Sequence, residues 1–267
     1  MDGISISRQA MRRWIFWHST FLVTGLILML SQLYAQTLRV AVSSDDYPPF
    51  YYQQDEQLTG FSVEVLQAVA SELDINLQWQ RLPWSRVVQH VANGKADVIT
   101  VFYKNPERLK HFYFSSESYL RDAIVLLCAA PCKLNFAGDL NSLIEQPMAV
   151  VRDFSYGPTL DNAGFRQLAE VESDPMLFKL LINKRLSLGI TSLITVQHDA
   201  LLQQAQHKYV VLGPPLDYVD IYFAFSKQSH INRQWLALFD ASLQRYKQTA
   251  AYQALLQRYQ LLAASAQ

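Results

Sequence analysis

Several turns of this 267-residue chain carry side chains that can bind a small charged molecule. Arg108 has a planar guanidinium, which can form two parallel hydrogen bonds with a carboxylate. The rings of Tyr47 and Trp84 offer flat faces to a hydrocarbon body or to a positive group. On the residues alone, Arg108 can equally be one of several solvated cations with Lys104 and Lys110, and the two rings can belong to the core.

The composition excludes several classes of function. Lys+Arg number 23 and Asp+Glu number 23, so no basic excess exists to neutralise the phosphates of a nucleic acid. The chain contains only 9 Gly and no GxxxxGK or GxGxxG string, and its 6 His show no clustered spacing. We therefore expect no nucleic-acid partner, no cofactor, no metal and no catalysis.

Residues 1–35 have the pattern of an export signal. Arginines near the start precede a stretch from Trp14 to Leu38 that has no charged residue, and Leu33 and Ala35 occupy suitable positions before a cleavage site. The alternative is an uncleaved membrane anchor, because the uncharged stretch is long enough to cross a bilayer. We expect cleavage and a periplasmic location.

The two cysteines of the chain, Cys128 and Cys132, lie in the short string CAAPC. In an oxidising compartment this loop can close as a disulfide. The alternative is a pair of free thiols at a strand end. Metal binding is not indicated, because no His or second Cys pair lies nearby.

Strand and helix patterns alternate after the signal, which favours an α/β fold with parallel strands. Ligands in such sheets bind beyond the carboxyl ends of the strands, so the residues after Val42 and Ile99 are the first places to examine. The predicted strands are Thr37 to Val42, Ile75 to Gln80, Ala96 to Phe102, Met148 to Val151, Leu186 to Thr191 and Tyr209 to Leu212. Helices are predicted after Gly60, from Pro83 and within residues 232–258.

Four strings of the first half resemble the family 3 bacterial extracellular solute-binding proteins in order and spacing. They are LRVAVSSDDYPPFYY, LTGFSVEVLQAVASEL, PWSRVVQHVANGKADV and NPERLKHFYFSSESYL. The resemblance is strong over about residues 38–127 and weaker beyond, through MAVVRDFSYG and GPPLDYVDIYFAFSK.

The resemblance implies a two-lobe periplasmic binding fold of type II, with two chain crossings. Lobe 1 would comprise residues 37–121 and 221–267, and lobe 2 residues 122–220. Such proteins close by a hinge motion over a small polar, carboxylate-bearing solute and deliver it to an ABC importer. Two alternatives remain: a sensory module that acts through a membrane receptor, and a dehydratase-like enzyme acting on a small cyclic carboxylic acid.

The resemblance also assigns roles to single residues. Arg108 would bind the solute's carboxylate, while Tyr47 and Trp84 would form the walls of the pocket. Thr100 and Tyr103 match positions whose hydroxyl and backbone groups face the ligand. Ser155 would bind the carboxylate from a loop of lobe 2, at the N-terminus of a helix.

One departure concerns the solute's ammonium group. Amino-acid binders of this family usually have an aspartate where this chain has Ser192, and an earlier aspartate is replaced by Ser187. An uncompensated buried ammonium is costly. Either Asp46, Glu117 or another carboxylate substitutes, or the ligand is not an ordinary α-amino acid. Ser192 itself is kept as a candidate ligand-binding residue.

Mass spectrometry of the exported protein tests the signal prediction. We expect a new N-terminus near Gln36, because a peptidase that recognises Leu33 and Ala35 cuts after Ala35. Recovery of the intact Met1 or Met11 start in the membrane fraction would instead indicate an anchor.

Overall fold

The computed structural model describes residues 36–231 and 233–262, so the predicted signal of residues 1–35 lies outside the described residues. From Leu38 onward the chain forms one unit. The strands are β1 (Gln36–Ser43), β2 (Tyr52–Gln54), β3 (Gln57–Thr59), β4 (Ile75–Leu82), β5 (Val98–Tyr103), β6 (Phe112–Phe114), β7 (Leu120–Ala129), β8 (Met148–Val151), β9 (Leu168–Val171), β10 (Leu188–Ser192) and β11 (Tyr209–Ser226).

Helices cover both faces of the sheet that these strands form. They are α1 (Phe61–Glu72), α2 (Trp84–Ala92), α3 (Arg108–His111), α4 (Pro158–Asp161), α5 (Asp174–Ile182), α6 (Leu193–His198), α7 (Ala200–Gln204), α8 (Arg233–Lys247) and α9 (Ala250–Arg258). Short 3₁₀ turns lie at Leu140–Leu143 and Gln206–Lys208.

The main sheet has the order β4-β1-β5-β11-β7-β10-β8-β9, and β6 pairs with β11. Parallel pairing joins β1 to β5, and β8 to both β9 and β10. The long strands β7 and β11 are antiparallel to each other and to their other neighbours in the order. The predicted α/β class is confirmed, and the sheet is mixed because two long strands run through its middle.

Alternate residues of the central strands pack into different layers, as expected for strands that are covered on both faces. Val40 and Val42 belong to the hydrophobic cluster that includes α1, α8 and α9. Ala41, between them, belongs to the cluster that includes α2 and α5. Burial of every residue of β5 follows from this arrangement.

The strands β7 and β11 connect the two ends of the sheet. The β11 residues 221–225 pair with β5, and residues 209–212 and 217–221 pair with β7, with an irregularity between these two stretches. The chain crossings expected near residues 120–122 and 220–222 fall where Leu120 pairs with Ile221 and Arg121 with Asp220. The lobe boundaries themselves stay a prediction. At the far end of β7, the sulfur atoms of Cys128 and Cys132 are 2.08 Å apart, a disulfide distance.

Gly60 positions the start of α1 against the turn that carries Tyr47. Its φ of 128° and ψ of 167° define a conformation that is essentially restricted to glycine. A Cβ at this position would overlap the Phe50 backbone. The amide groups of Phe61 and Ser62 donate to the Pro49 and Phe50 carbonyls, at 2.7 Å and 3.0 Å.

We expect Gly60→Ala to lower the free energy of unfolding by about 3 kcal/mol, because strain and overlap act together. Gly164→Ala is the matched control: its φ is 73°, and no atom lies within 4 Å of a Cβ there. The free energy of unfolding of the Gly164→Ala variant should fall by only about 1 kcal/mol. Chemical denaturation of both variants measures the difference, and equal losses would contradict the packing described for Gly60.

Candidate functional site

A small cavity, partly open to solvent, lies where β1 and β8 end. Ser43, the last residue of β1, and Val151, the last residue of β8, both line it, together with Val101 of β5. The position agrees with the rule that ligands bind beyond the carboxyl ends of parallel strands.

Aromatic rings form much of the cavity wall. Tyr47, Tyr51, Trp84 and Phe154 all line it, so the structure places two of the sequence-predicted residues, Tyr47 and Trp84, at one site. The Trp84 and Phe154 ring centroids are 5.8 Å apart. Such a wall can pack against a hydrocarbon body or against a cation.

Asp174 supplies a buried carboxylate to the same cavity, and our sequence analysis missed it. It is the first residue of α5 and is only 8% exposed. Its Oδ1 accepts a hydrogen bond of 2.8 Å from the Thr191 hydroxyl. Burial raises the pKa of Asp174 to about 7, and the charges of Asp199 and Asp122 also raise it.

Asp122 is a second buried carboxylate, at the start of β7. It accepts hydrogen bonds from the Ser192 hydroxyl at 2.5 Å and from the Tyr103 hydroxyl at 3.1 Å. Burial raises its pKa to about 6, against the effect of these hydrogen bonds. The side chains of Tyr103 and Ser192, both predicted ligand contacts, are therefore directed to Asp122, and neither residue lines the cavity.

Arg108 is buried beside the cavity, with its guanidinium 3.7 Å above the Phe102 ring. Its Nη1 donates to the Tyr103 carbonyl at 2.8 Å, and its Nη2 donates to the Asp153 carbonyl at 3.2 Å. None of the ion pairs in the described part of the chain includes Arg108. Burial lowers its pKa to about 10.

The Asp153 carbonyl also accepts a hydrogen bond of 3.2 Å from Trp84 Nε1. Two side-chain donors from residues 84–108 thus converge on one backbone oxygen of the loop after β8. The Asp153 carbonyl oxygen thus accepts from the same guanidinium that we expect, from the family resemblance, to bind a ligand carboxylate. The carboxylate role of Arg108 stays a prediction.

The other two predicted hydroxyls are engaged by neighbours. The Ser155 hydroxyl donates to Asp161 and accepts from Asn105 Nδ2 at 3.1 Å. Thr100 lies within β5 in the core, where its hydroxyl accepts from Ser62 at 3.2 Å. Neither residue lines the cavity, so the structure separates both from Tyr47 and Trp84.

The two carboxylates suggested as partners for an ammonium group also have partners of their own. Asp46 lines the cavity but forms an ion pair of 2.7 Å with Arg81. Glu117 is paired with Lys247 at 3.1 Å and does not line the cavity. Asp174 is therefore the better candidate, since none of the ion pairs in residues 36–231 and 233–262 includes it.

Comparison with known families agrees with this arrangement of fold and cavity. The family model described as bacterial extracellular solute-binding proteins, family 3, matches residues 38–261. The chain belongs to this family. Its fold, a mixed α/β sheet with a cavity at strand ends, is the type II periplasmic binding fold.

Known proteins resemble this solute-binding protein over different lengths. A probable histidine-binding protein of Campylobacter jejuni is 21% identical over 84% of this chain and 85% of its own. The probable amino-acid-binding protein YxeM of Bacillus subtilis is 34% identical, but the match spans only 31% of each chain. Among solved structures, the crystal structure of a histidine kinase sensor domain with similarity to periplasmic binding proteins superposes on this chain with a TM-score of 0.72. The superposition covers 85% of this chain and 96% of the sensor domain, and the sequence identity is 18%.

The described residues of this solute-binding protein contain neither a membrane-spanning helix nor a metal-binding cluster. None of their helices combines the length and the apolar character that crossing a membrane requires. Likewise, the described part contains no group of three or more His, Cys, Asp or Glu side chains that could hold a metal ion.

The raised pKa of Asp174 predicts how stability depends on pH. An acid with a higher pKa in the folded protein keeps its proton there while the unfolded chain has lost it. Stability therefore falls as the pH rises from about 4 to about 7. Asp174→Asn should remove this loss and raise the free energy of unfolding at pH 8 by up to about 4 kcal/mol.

Thermal and urea denaturation at pH 4 and pH 8 measure this effect. At pH 4 the variant should match the parent protein, because Asp174 is protonated there. Asp139→Asn is the control, since Asp139 is exposed and asparagine can also cap the turn that follows. An equal effect of Asp174→Asn at both pH values would contradict the burial argument.

Proposed function

We propose that this protein binds a small, amino-acid-like solute in the periplasm and delivers it to an ABC importer. One observation carries the proposal: residues from both predicted lobes line the same cavity. Tyr47 and Trp84 come from residues 37–121, and Phe154 and Asp174 come from residues 122–220. A solute held between these walls would favour the closed state over the open one.

Closure would occur by bending of β7 and β11, where the chain passes twice between the proposed lobes. The contacts between the proposed lobes at this edge include hydrogen bonds as well as the ring contacts of Phe154 with Trp84 and Tyr103. Trp84 and Arg108 donate to the Asp153 carbonyl, and Asn105 Nδ2 donates to Ser155 at 3.1 Å. Hydrogen bonds of this kind contribute only about 0.5–1.5 kcal/mol each, so they can break when the lobes open.

The proposed solute carries a carboxylate for Arg108. When the lobes open, the Asp153 carbonyl withdraws and leaves a buried guanidinium with unused N–H groups. A carboxylate would compete well for these donors, because it can accept two parallel hydrogen bonds from the planar guanidinium and carries the opposite charge. The similarity to a probable amino-acid-binding protein and to a probable histidine-binding protein supports an amino-acid-like ligand.

We propose binding without chemical conversion, but Asp174 gives a specific reason to test a second function. A carboxyl group with a pKa of about 7 in a cavity is what a general acid requires. A dehydratase-like reaction would therefore use Asp174. Prolonged incubation of excess ligand with the protein, followed by mass spectrometry, decides between the two: unchanged ligand supports binding, and loss of water from it supports the enzyme.

A thermal-shift screen of the exported protein against amino acids, amines and small carboxylic acids tests the proposal. For the best carboxylate-bearing ligand, Arg108→Ala should weaken binding at least about 30-fold, which corresponds to about 2 kcal/mol. Arg108→Lys should retain part of the affinity, because it keeps the charge but not the planar fork.

Arg185→Ala is the matched control for the loss of one arginine, since Arg185 is exposed and does not line the cavity. The melting temperature of each unliganded variant separates loss of folding from loss of binding. An unchanged ligand-induced shift in a folded Arg108→Ala variant would remove Arg108 from the site. If no small solute stabilised the parent protein, the proposed function would fail.

A further inference from the structure

We infer that the cavity selects solutes with a positively charged side chain, an amine or a guanidinium, and that Asp174 is the anion that binds this group. The inference rests on the proposed function and adds the charge of the recognised group and the residue responsible.

The first argument is the unpaired charge of Asp174. Its side chain is more than nine-tenths buried, and its described hydrogen bond comes from the neutral Thr191 hydroxyl. Asp122 and Asp199, the charged groups that act on it most strongly, are themselves acidic. An ionised carboxylate in such surroundings is costly, and a cation placed beside it would remove most of that cost.

The second argument is the character of the cavity walls. The faces of Tyr47, Tyr51, Trp84 and Phe154 surround the space that Asp174 borders. Aromatic faces attract cations by about 0.5–2 kcal/mol each, and more strongly where water is excluded. Asp45 lines the same cavity and adds a further negative charge. No Lys, Arg or His of the described residues lines it.

The third argument is a polar group that lacks a partner. The Tyr47 hydroxyl is buried without a hydrogen bond, although Tyr47 lines the cavity and is only 6% exposed. The Thr195 hydroxyl affects the pKa of Tyr47 as a weak hydrogen-bond partner would, but the geometry of a full hydrogen bond between the two hydroxyls is not met. Buried polar groups are rarely left unpaired in folded proteins. The N–H groups of a bound amine or guanidinium are donors that the phenolic oxygen can accept.

Asp122 cannot take the same role. Its carboxylate already accepts from the Tyr103 and Ser192 hydroxyls and from the Ile194 amide at 3.4 Å. It does not line the cavity. Asp122 therefore contributes negative potential, while Asp174 provides the contact.

Isothermal titration calorimetry of the exported protein with charge-matched probes tests the inference. The probes are pairs of amino acids of similar shape that differ in the charge of the side chain: arginine with citrulline, and lysine with norleucine. Agmatine, which lacks the carboxylate of arginine, completes the set. We expect every probe that binds well to carry a side-chain cation, and its neutral counterpart to bind at least 10-fold more weakly.

Asp174→Asn, which keeps the size of the side chain, should weaken the binding of the cationic probe 10-fold to 100-fold. The same variant should leave the neutral probe unchanged or bind it more tightly. Asp139→Asn, which removes an equal charge from an exposed site, should change neither. This opposite response to one substitution would not follow from a merely structural role of Asp174.

The possible failures are distinguishable. If a solute binds, but neutral and cationic probes bind alike or Asp174→Asn behaves as Asp139→Asn does, the inference is overturned and the proposed function stands. If neither the probes nor any solute of the wider screen binds, both fail.

Discussion

The proposed function depends on two buried ionisable groups that form no ion pair in the described part of the chain: Asp174 lines the cavity, and Arg108 lies beside it. The Arg108 guanidinium donates to two backbone carbonyls and lies over the Phe102 ring, and Asp174 accepts a hydrogen bond from a hydroxyl. Burial shifts the pKa of each towards its neutral form, down to about 10 for Arg108 and up to about 7 for Asp174. A core optimised for stability would replace such groups with apolar side chains. Their retention is explained if a solute supplies the missing charges.

The loop after β8 links these groups to the closing motion that we propose. The Asp153 carbonyl accepts from both Trp84 and Arg108, so the protein's own backbone uses a donor of Arg108 that our proposal assigns to a ligand. Asp153 has a φ of 57°, a conformation that costs roughly 1 kcal/mol for a residue other than glycine. A carboxylate would displace a neutral acceptor held at some conformational cost, which makes the exchange favourable.

Much of the fold could be predicted from the sequence, because local patterns determine it. β8 begins and ends at the predicted residues, and the helix after Gly60 lies where its periodicity indicated. The long strands β7 and β11 were not predicted as a pair, since their apolar runs do not show which strands they contact. Tyr47 and Trp84 could be placed at the cavity from the resemblance. Asp174 could not, because its burial depends on contacts distant in sequence; the only local signal was a Ser-Asp-Pro helix start after a strand.

The titration of the Asp174 carboxyl tests the central claim most directly. Carbon-13 NMR of the aspartate side chains, with Asp174→Asn to assign the signal, would follow its pKa with and without a saturating cationic solute. The account predicts a pKa of about 7 in the free protein, falling to roughly 4–6 in the complex because an opposite charge favours the ionised form. A carboxyl that titrates near 3.8 in the free protein, and does so equally in the complex, would contradict it.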